Sequence, residues 1–258
     1  MGRAGISFLD ELFGLRATRM WSKAARRAET MPISAVRRRL GQAQMLSTRV
    51  AEFRRVAEDR LALPRIGANA IRRADGADWA WRPEAFRYRT KVPGVAAAAS
   101  GAEIDEAIRL FHDCARSELT LRQTRNGREE DLSAFGLELD VFAFDGSFLS
   151  LAVDLPAEAA QNLRRDHIIR VDLDCAFERP LEVFLRLNIR HGPNIEQVVR
   201  ELPRGGPEAA TVEFDLAYTR LNERRSERMW LDIIFERPQM NRIRLRDLTL
   251  ARRLRAEI

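Results

Sequence analysis

Two spacings of apolar residues divide the chain. Up to about Arg73 they recur near every 3.6 residues, and from about Ile108 they recur at every second residue, the periods of helix and strand respectively. Ser7 followed by Asp10 predicts a capping box opening a first helix from about Phe8 to Glu29. Leu9, Leu12, Phe13, Met20 and Trp21 fall near one stripe of that helix, with Arg16, Arg19, Lys23, Arg26 and Arg27 mostly beside it. Pro32 breaks the pattern. A second helix, capped by Ser34 and ended by Pro64, carries Val36, Ala43, Val50 and Ala57 seven apart, with Leu46 and Phe53 three beyond two of them. Arg39 and Arg60 interrupt the stripe where a coiled coil needs apolar residues.

The period-two region predicts nine strands: Ile108–His112, Glu118–Arg125, Leu137–Phe144, Phe148–Leu155, His167–Phe177, Leu181–Arg190, Thr211–Tyr218, Met229–Phe235 and Arg242–Leu250. Turn dipeptides separate them, among them Asn126-Gly127, Asp145-Gly146, Gly192-Pro193 and Gly205-Gly206-Pro207. Long alternations with this turn spacing predict a mainly β fold, an antiparallel jelly-roll β-sandwich with an N-terminal α-helical arm. The expected organisation is a basic helical hairpin over 1–73, a linker or lead-in over 74–107, and the sandwich over 108–258. Alternation also predicts faces: Val183, Leu185, Leu187 and Ile189 inward with Phe184, Arg186, Asn188 and Arg190 outward, and Met229, Leu231, Ile233 and Phe235 inward with Trp230 and Asp232 outward.

Charge separates the same two regions. Met1 to Arg73 holds 16 Lys and Arg against 6 Asp and Glu, a balance of +10, so the remaining 185 residues carry 28 against 32, or −4. The arm is expected to form a helical hairpin that packs on the sandwich or on a second copy. The alternative, from a helix with Trp and Phe on one side and Arg on the other, is contact with an anionic membrane surface. No helix-turn-helix, zinc or RNA-binding signature accompanies the charge, so nucleic acid is not an expected partner. Asp10 and Glu11 interrupt the one apolar stretch near the start, no apolar run approaches the length of a membrane span, and two cysteines make no disulfide framework. These features predict a cytoplasmic protein, membrane-peripheral if the arm is the functional part.

Candidate chemistry is sparse. An outward Trp230 beside Asp232, Asn188, Arg186 and Arg190, with His191 at the adjoining turn, predicts a polar sheet face that binds a glycan or a protein. Trp79 and Trp81 share one side of an extended segment and are expected to clamp a ligand or to staple the arm to the sandwich. His112 and Cys114 lie two apart, but neighbours on one strand rarely form a nucleophile and base pair. The histidines are scattered, and no Gly-rich phosphate loop opens a helix. Carboxylates such as Asp140, Asp172, Asp174, Asp215 and Asp232 leave a glycosidase pair open as a third reading.

The segments "ATVEFDLAYTRL", "MWLDIIFE" and "FERPQMNRIRLRDLTLARR" resemble the last strands of galactose-binding-like jelly rolls, the fold of many carbohydrate-binding modules, with Asp247, Leu248, Thr249 and Leu250 in the closing strand. That resemblance covers roughly Phe148 to Arg253. Through "LFHDCARSELTLRQTRN", "FDGSFLSLAVDLP" and "LNIRHGPN" most of the chain also resembles an uncharacterised alphaproteobacterial family of unknown function. No cofactor is expected; jelly rolls of the kind this chain resembles commonly carry a structural calcium, to which Asp113 or Asp247 could contribute. The reading is a non-catalytic binding protein for a glycan or protein partner, with a membrane or envelope-biogenesis accessory protein as the alternative and a saccharide hydrolase third. Its oligomeric state is not legible from the sequence.

Overall fold

Strict alternation is what builds the core. In a strand, successive side chains leave opposite faces, so a row such as Val183, Leu185, Leu187 and Ile189 can be buried only against a second such row. A computed structural model describes residues 8–62, 71, 75–203 and 209–255 of the chain. The chain divides into two compact units, Met1–Arg54 and Arg55–Ile258.

The first unit is helical. Helix α1 spans Phe8–Arg26, a 3-10 turn follows over Ala28–Thr30, and α2 spans Ile33–Ala62 and so runs past the unit boundary. The first helix therefore ends before Glu29, and Ser34 lies inside α2 and not at its cap. The Pro32 carbonyl accepts the Ala35 and Val36 amides instead. Ser7, Pro64 and the Gly205-Gly206-Pro207 turn lie outside the described residues.

The second unit holds the strands β1 (Ala77–Trp81), β2 (Gly94–Ala96), β3 (Ala102–Glu103), β4 (Ile108–His112), β5 (Leu119–Arg125), β6 (Phe135–Val141), β7 (Leu149–Asp154), β8 (His167–Phe177), β9 (Glu182–His191), β10 (Asn194–Glu201), β11 (Ala209–Asp215), β12 (Ser226–Glu236) and β13 (Asn241–Leu254), with a short helix α3 at Glu84–Arg87. Among the described residues they form two antiparallel sheets. Sheet one runs β11-β8-β13-β6-β5-β2 with β1 also on β13, and sheet two runs β10-β9-β12-β7-β4-β3. The inner rows of β8, β9, β12 and β13 are buried in one continuous core.

Strand β13 serves two partners on one side. Its first half pairs with β6 and its second with β1, while β8 pairs along the other side across a bulge at Arg246. The extra residue shifts the inward set from Ile243 and Leu245 to Leu248 and Leu250, so the sequence spacing and the bulge agree. The loop before β6 holds the bulge: Ser133 Oγ and Asn126 Nδ2 both donate to the Arg246 carbonyl, at 2.6 and 2.8 Å.

The predicted strands are present with shifted ends; that predicted over Thr211–Tyr218, for instance, stops at Asp215 in a 3-10 turn. The larger difference is the stretch predicted as linker, 74–107. It contributes β1, β2 and β3 to both sheets, and Trp79 and Trp81 pack against the sandwich core. These strands are only five, three and two residues long, too short to show a period, and they exist because a longer strand pairs with each. The segment after Gly192-Pro193 is likewise a strand and not a polar loop. A two-residue turn, with Gly192 at φ +60, folds β10 onto β9. Its polar composition belongs to a sheet edge.

The outer face of sheet one is covered by arginine and carboxylate pairs: Arg122 and Arg244 on Glu138, Arg242 on Asp140, Arg170 on Asp172 and Arg253 on Glu213. Burial pushes the Glu138 and Asp140 carboxyls up, but hydrogen bonds from Arg244 and Arg122 to the first, and from Arg242 to the second, outweigh it and hold both below the usual carboxylate range. A depressed folded value means that the unfolded chain binds more protons. The stabilisation is therefore present above the unfolded carboxylate range, about pH 4, and is lost as pH falls through the folded values. Thermal melts across that range should show a falling midpoint, with a shallower fall in Glu138→Gln.

Candidate functional site

The outer face of sheet two differs from that of sheet one. Register places Gln197, Asn188, Trp230 and Asp154 in one row across β10, β9, β12 and β7, and Val199, Arg186, Asp232, Ala152, Arg109 and Glu103 in the next. Four predicted site residues, Trp230, Asp232, Asn188 and Arg186, thus meet on one face.

Two of them are closed off. Asp232 is 6% exposed and Asn188 is fully buried. Arg186 Nε and Asn188 Nδ2 donate to the same Asp232 oxygen at 2.9 and 2.8 Å, and Gln197 Nε2 donates to Asn188 Oδ1 at 2.8 Å. These side chains spend their polar atoms on one another. Arg190 is exposed on the same face. His191 is not: it is buried at the strand end, where its Nδ1 accepts the Asn222 amide at 3.3 Å.

Trp230 is partly exposed, and the Arg228 guanidinium stands over its ring at 5.5 Å from the centroid. Arg228 also pairs with Asp154. Asp154 binds Arg109 at 2.9 Å, and Arg109 binds Glu103 at 2.9 Å. This chain of charges leads from Trp230 to a cleft of about 640 Å³ that sequence reasoning missed.

Three separate segments supply the cleft: Trp81 to Val92, Glu103 to Ala107, and Asp154 to Pro156. Pairing of β1 with β13, of β3 with β4 and of β4 with β7 fixes the strands that carry them. Trp81 and Tyr88, both partly exposed, are its aromatic walls, and Ile104 and Leu155 add apolar surface. Its ionisable lining is Glu84, Glu103, Asp105, Glu106 and Asp154 against Arg89 and Lys91, five carboxyls to two cations. Asp105 is structural in part: burial pushes its carboxyl up even though the Ala107, Ile108 and Ala85 amides donate to it. Glu84 and Glu106 are exposed. A sequence signal did exist, in Trp81 and in the acidic run Glu103 to Glu106, but nothing local joined the two.

The remaining candidates have structural work. Asp113 accepts the Ser147 and Phe148 amides, at 2.7 and 3.2 Å, and the Ser147 hydroxyl at 2.5 Å. Asp247 is held by Arg82 through two bonds of 2.8 Å, an arrangement that leaves a cation no place. Among the described residues no group of three or more His, Cys, Asp or Glu is placed to hold a metal ion. His112 contacts the Ala98 carbonyl through Nε2 at 2.9 Å and accepts the Cys114 amide at Nδ1, so both nitrogens are engaged. Burial pushes the Cys114 thiol up, away from the thiolate a nucleophile needs.

No curated protein matches the sequence. Solved structures with a similar backbone include a family 11 carbohydrate-binding module from Clostridium thermocellum in complex with a β-1,3-1,4-mixed-linked tetrasaccharide, at 11% identity and TM-score 0.40 over 61% of this chain and 96% of that one. Also similar is the CBM22-1 xylan-binding domain from Paenibacillus barcinonensis Xyn10C, at 8% identity and TM-score 0.36 over 71% and 99%. A third is TmCBM61 in complex with β-1,4-galactotriose, at 15% identity and TM-score 0.32 over 63% and 96%. Sequence comparison reaches further than these backbones do: the model of the family of unknown function DUF6478 matches residues 1–258, and the protein belongs to that family.

Proposed function

We propose that the sandwich is a non-catalytic binding module that takes a saccharide in the cleft at Trp81 and Tyr88 and along the adjoining face toward Trp230. The observation that carries the reading is the continuity of these rings with exposed carboxylates through Asp154, Arg109 and Glu103. It rests on these residues and not on the fold likeness. Sugar rings present apolar CH faces that stack on aromatic rings, while their hydroxyls donate to carboxylates and accept from arginine. A pair of rings with Glu84 and Glu106 beside them supplies both kinds of contact. Five carboxyls against two cations disfavour uronates and sulfated chains, so the substrate class is neutral or amino-bearing saccharide.

Affinity electrophoresis of the full chain against neutral, amino-bearing and sulfated polysaccharides tests this. The protein should be retarded by neutral or amino-bearing chains and not by sulfated ones. Tyr88→Ala should weaken binding about tenfold, a change of about 1.4 kcal/mol. Glu84→Gln combined with Glu106→Gln, both at exposed positions, should reduce the discrimination against anionic chains. Trp230→Ala should weaken long oligosaccharides more than short ones. Retardation that Tyr88→Ala leaves unchanged, or release of reducing ends from any chain, would overturn the proposal.

A further inference from the structure

Among the described side chains of the helical unit, residues 13–54, none is buried. Phe13 is 64% exposed, Met45 71%, Val50 50% and Phe53 71%. Two helices whose described side chains are at most partly buried gain little to offset the entropy of ordering them, since helical stability in proteins comes mostly from packing an apolar face. A partner must cover these residues.

The arrangement of charge says what kind. At 100° per residue, Phe13, Ala17, Met20, Trp21 and Ala24 form one stripe of α1, and Arg16, Arg19, Lys23, Arg26 and Arg27 form the stripe next to it. Between α1 and α2 an open groove is lined by Met20, Trp21, Arg39, Met45 and Leu46, with the Arg39 guanidinium 5.9 Å from the Trp21 ring centroid. The unit Met1–Arg54 carries 11 Lys and Arg against 4 Asp and Glu, or +7. A second arm would offer apolar surface but the same +7. The surface that fits is apolar below and anionic at its rim.

We infer that the α1–α2 arm docks in the plane of an anionic lipid bilayer, its apolar stripe at the level of the acyl boundary and its arginines among the headgroups. Long basic side chains can lie along apolar surface while their charge reaches the phosphates of an anionic surface. No helix of the described residues is long and apolar enough to cross a membrane, so the arm lies on the surface and does not span it. This inference is independent of the saccharide reading, which concerns the other unit.

The test is co-sedimentation of the full chain with vesicles of phosphatidylcholine alone and of phosphatidylcholine with phosphatidylglycerol. Binding should require the anionic lipid and weaken as salt rises, because screening shortens the reach of the charges. Replacing Arg16, Arg19 and Lys23 with Glu should reduce it at least tenfold, and Phe13→Ser with Met20→Ser should reduce it as well. All five positions are exposed, so saccharide retardation and the melting midpoint should be unchanged in both variants. Equal binding to neutral vesicles, no binding at all, or loss of a concentration-dependent dimer in place of vesicle binding would each overturn the inference.

Discussion

Replacing Arg82 with Met should destabilise the sandwich by about 3–5 kcal/mol, the cost of leaving a buried charge without its partner. Arg82 is 1% exposed. Its Nε and Nη2 donate to the two Asp247 oxygens at 2.8 Å each, closing a bidentate pair that joins the segment after β1 to β13 beside the bulge. Burial pushes the Asp247 carboxyl above the usual range even with Arg82 opposing it. Without the guanidinium only the Leu248 amide, which donates to Asp247 Oδ1 at 2.9 Å, opposes that push. A raised folded value means that the folded protein holds more protons than the unfolded chain, so the penalty is complete above the folded value and shrinks as pH falls toward the unfolded one. Urea unfolding of Arg82→Met and wild type should therefore show a gap that is large at neutral pH and narrower in acid. Arg82→Met with Asp247→Leu should recover much of the loss, since an apolar pair carries no unpaired charge. A single variant within 1 kcal/mol of wild type at neutral pH, a size typical of exposed pairs, would show that the pair is not buried in solution.

That ion pair also marks the limit of what the sequence discloses. Its partners lie 165 residues apart, and Arg82 follows a five-residue strand with no readable period. Where the chain alternates over many residues, as in β8, β9 and β12, the elements and their inner faces are legible, because a half-buried strand has no other way to satisfy the pattern. The bulge at Arg246 went unread, although the step in the apolar row from Leu245 to Leu248 is its trace. What stays hidden is set by pairing between distant segments. Strands β1, β2 and β3 are stabilised by their neighbours and not by their own composition, and β10 is an edge whose outward residues match those of a loop.

The same distinction holds at the site. The face bearing Trp230, Asp232, Asn188 and Arg186 followed from alternation alone. The cleft did not, because its three segments meet only through sheet pairing. Nor did alternation reveal that outward polar residues can bury one another. Asn188, bonded to both Asp232 and Gln197, is fully buried on the outward face.

This burial gives Asp232 an expected phenotype opposite to that of a ligand-binding residue. Asp232→Ala removes the acceptor shared by Arg186 and Asn188, leaving the Asn188 amide only the Arg186 carbonyl at 3.1 Å and a longer approach to the Trp230 carbonyl at 3.4 Å. A buried donor short of its main partner costs about 1–3 kcal/mol, more when the lost partner is charged, so a loss of about 2–3 kcal/mol is expected. For a unit of this size each kcal/mol lowers the melting midpoint by about 2–4 °C. Saccharide affinity should be unchanged, because Asp232 is 6% exposed and the cleft lies beyond Asp154. Asn188→Ala should cost a similar amount, and the double variant less than the sum, since the two changes remove one shared network. Thermal melts and affinity electrophoresis of the three variants decide the matter. If Asp232→Ala keeps its melting midpoint and loses retardation, Asp232 contacts the sugar and the binding surface extends past Trp230 to the Asp232 and Arg186 row of β12 and β9.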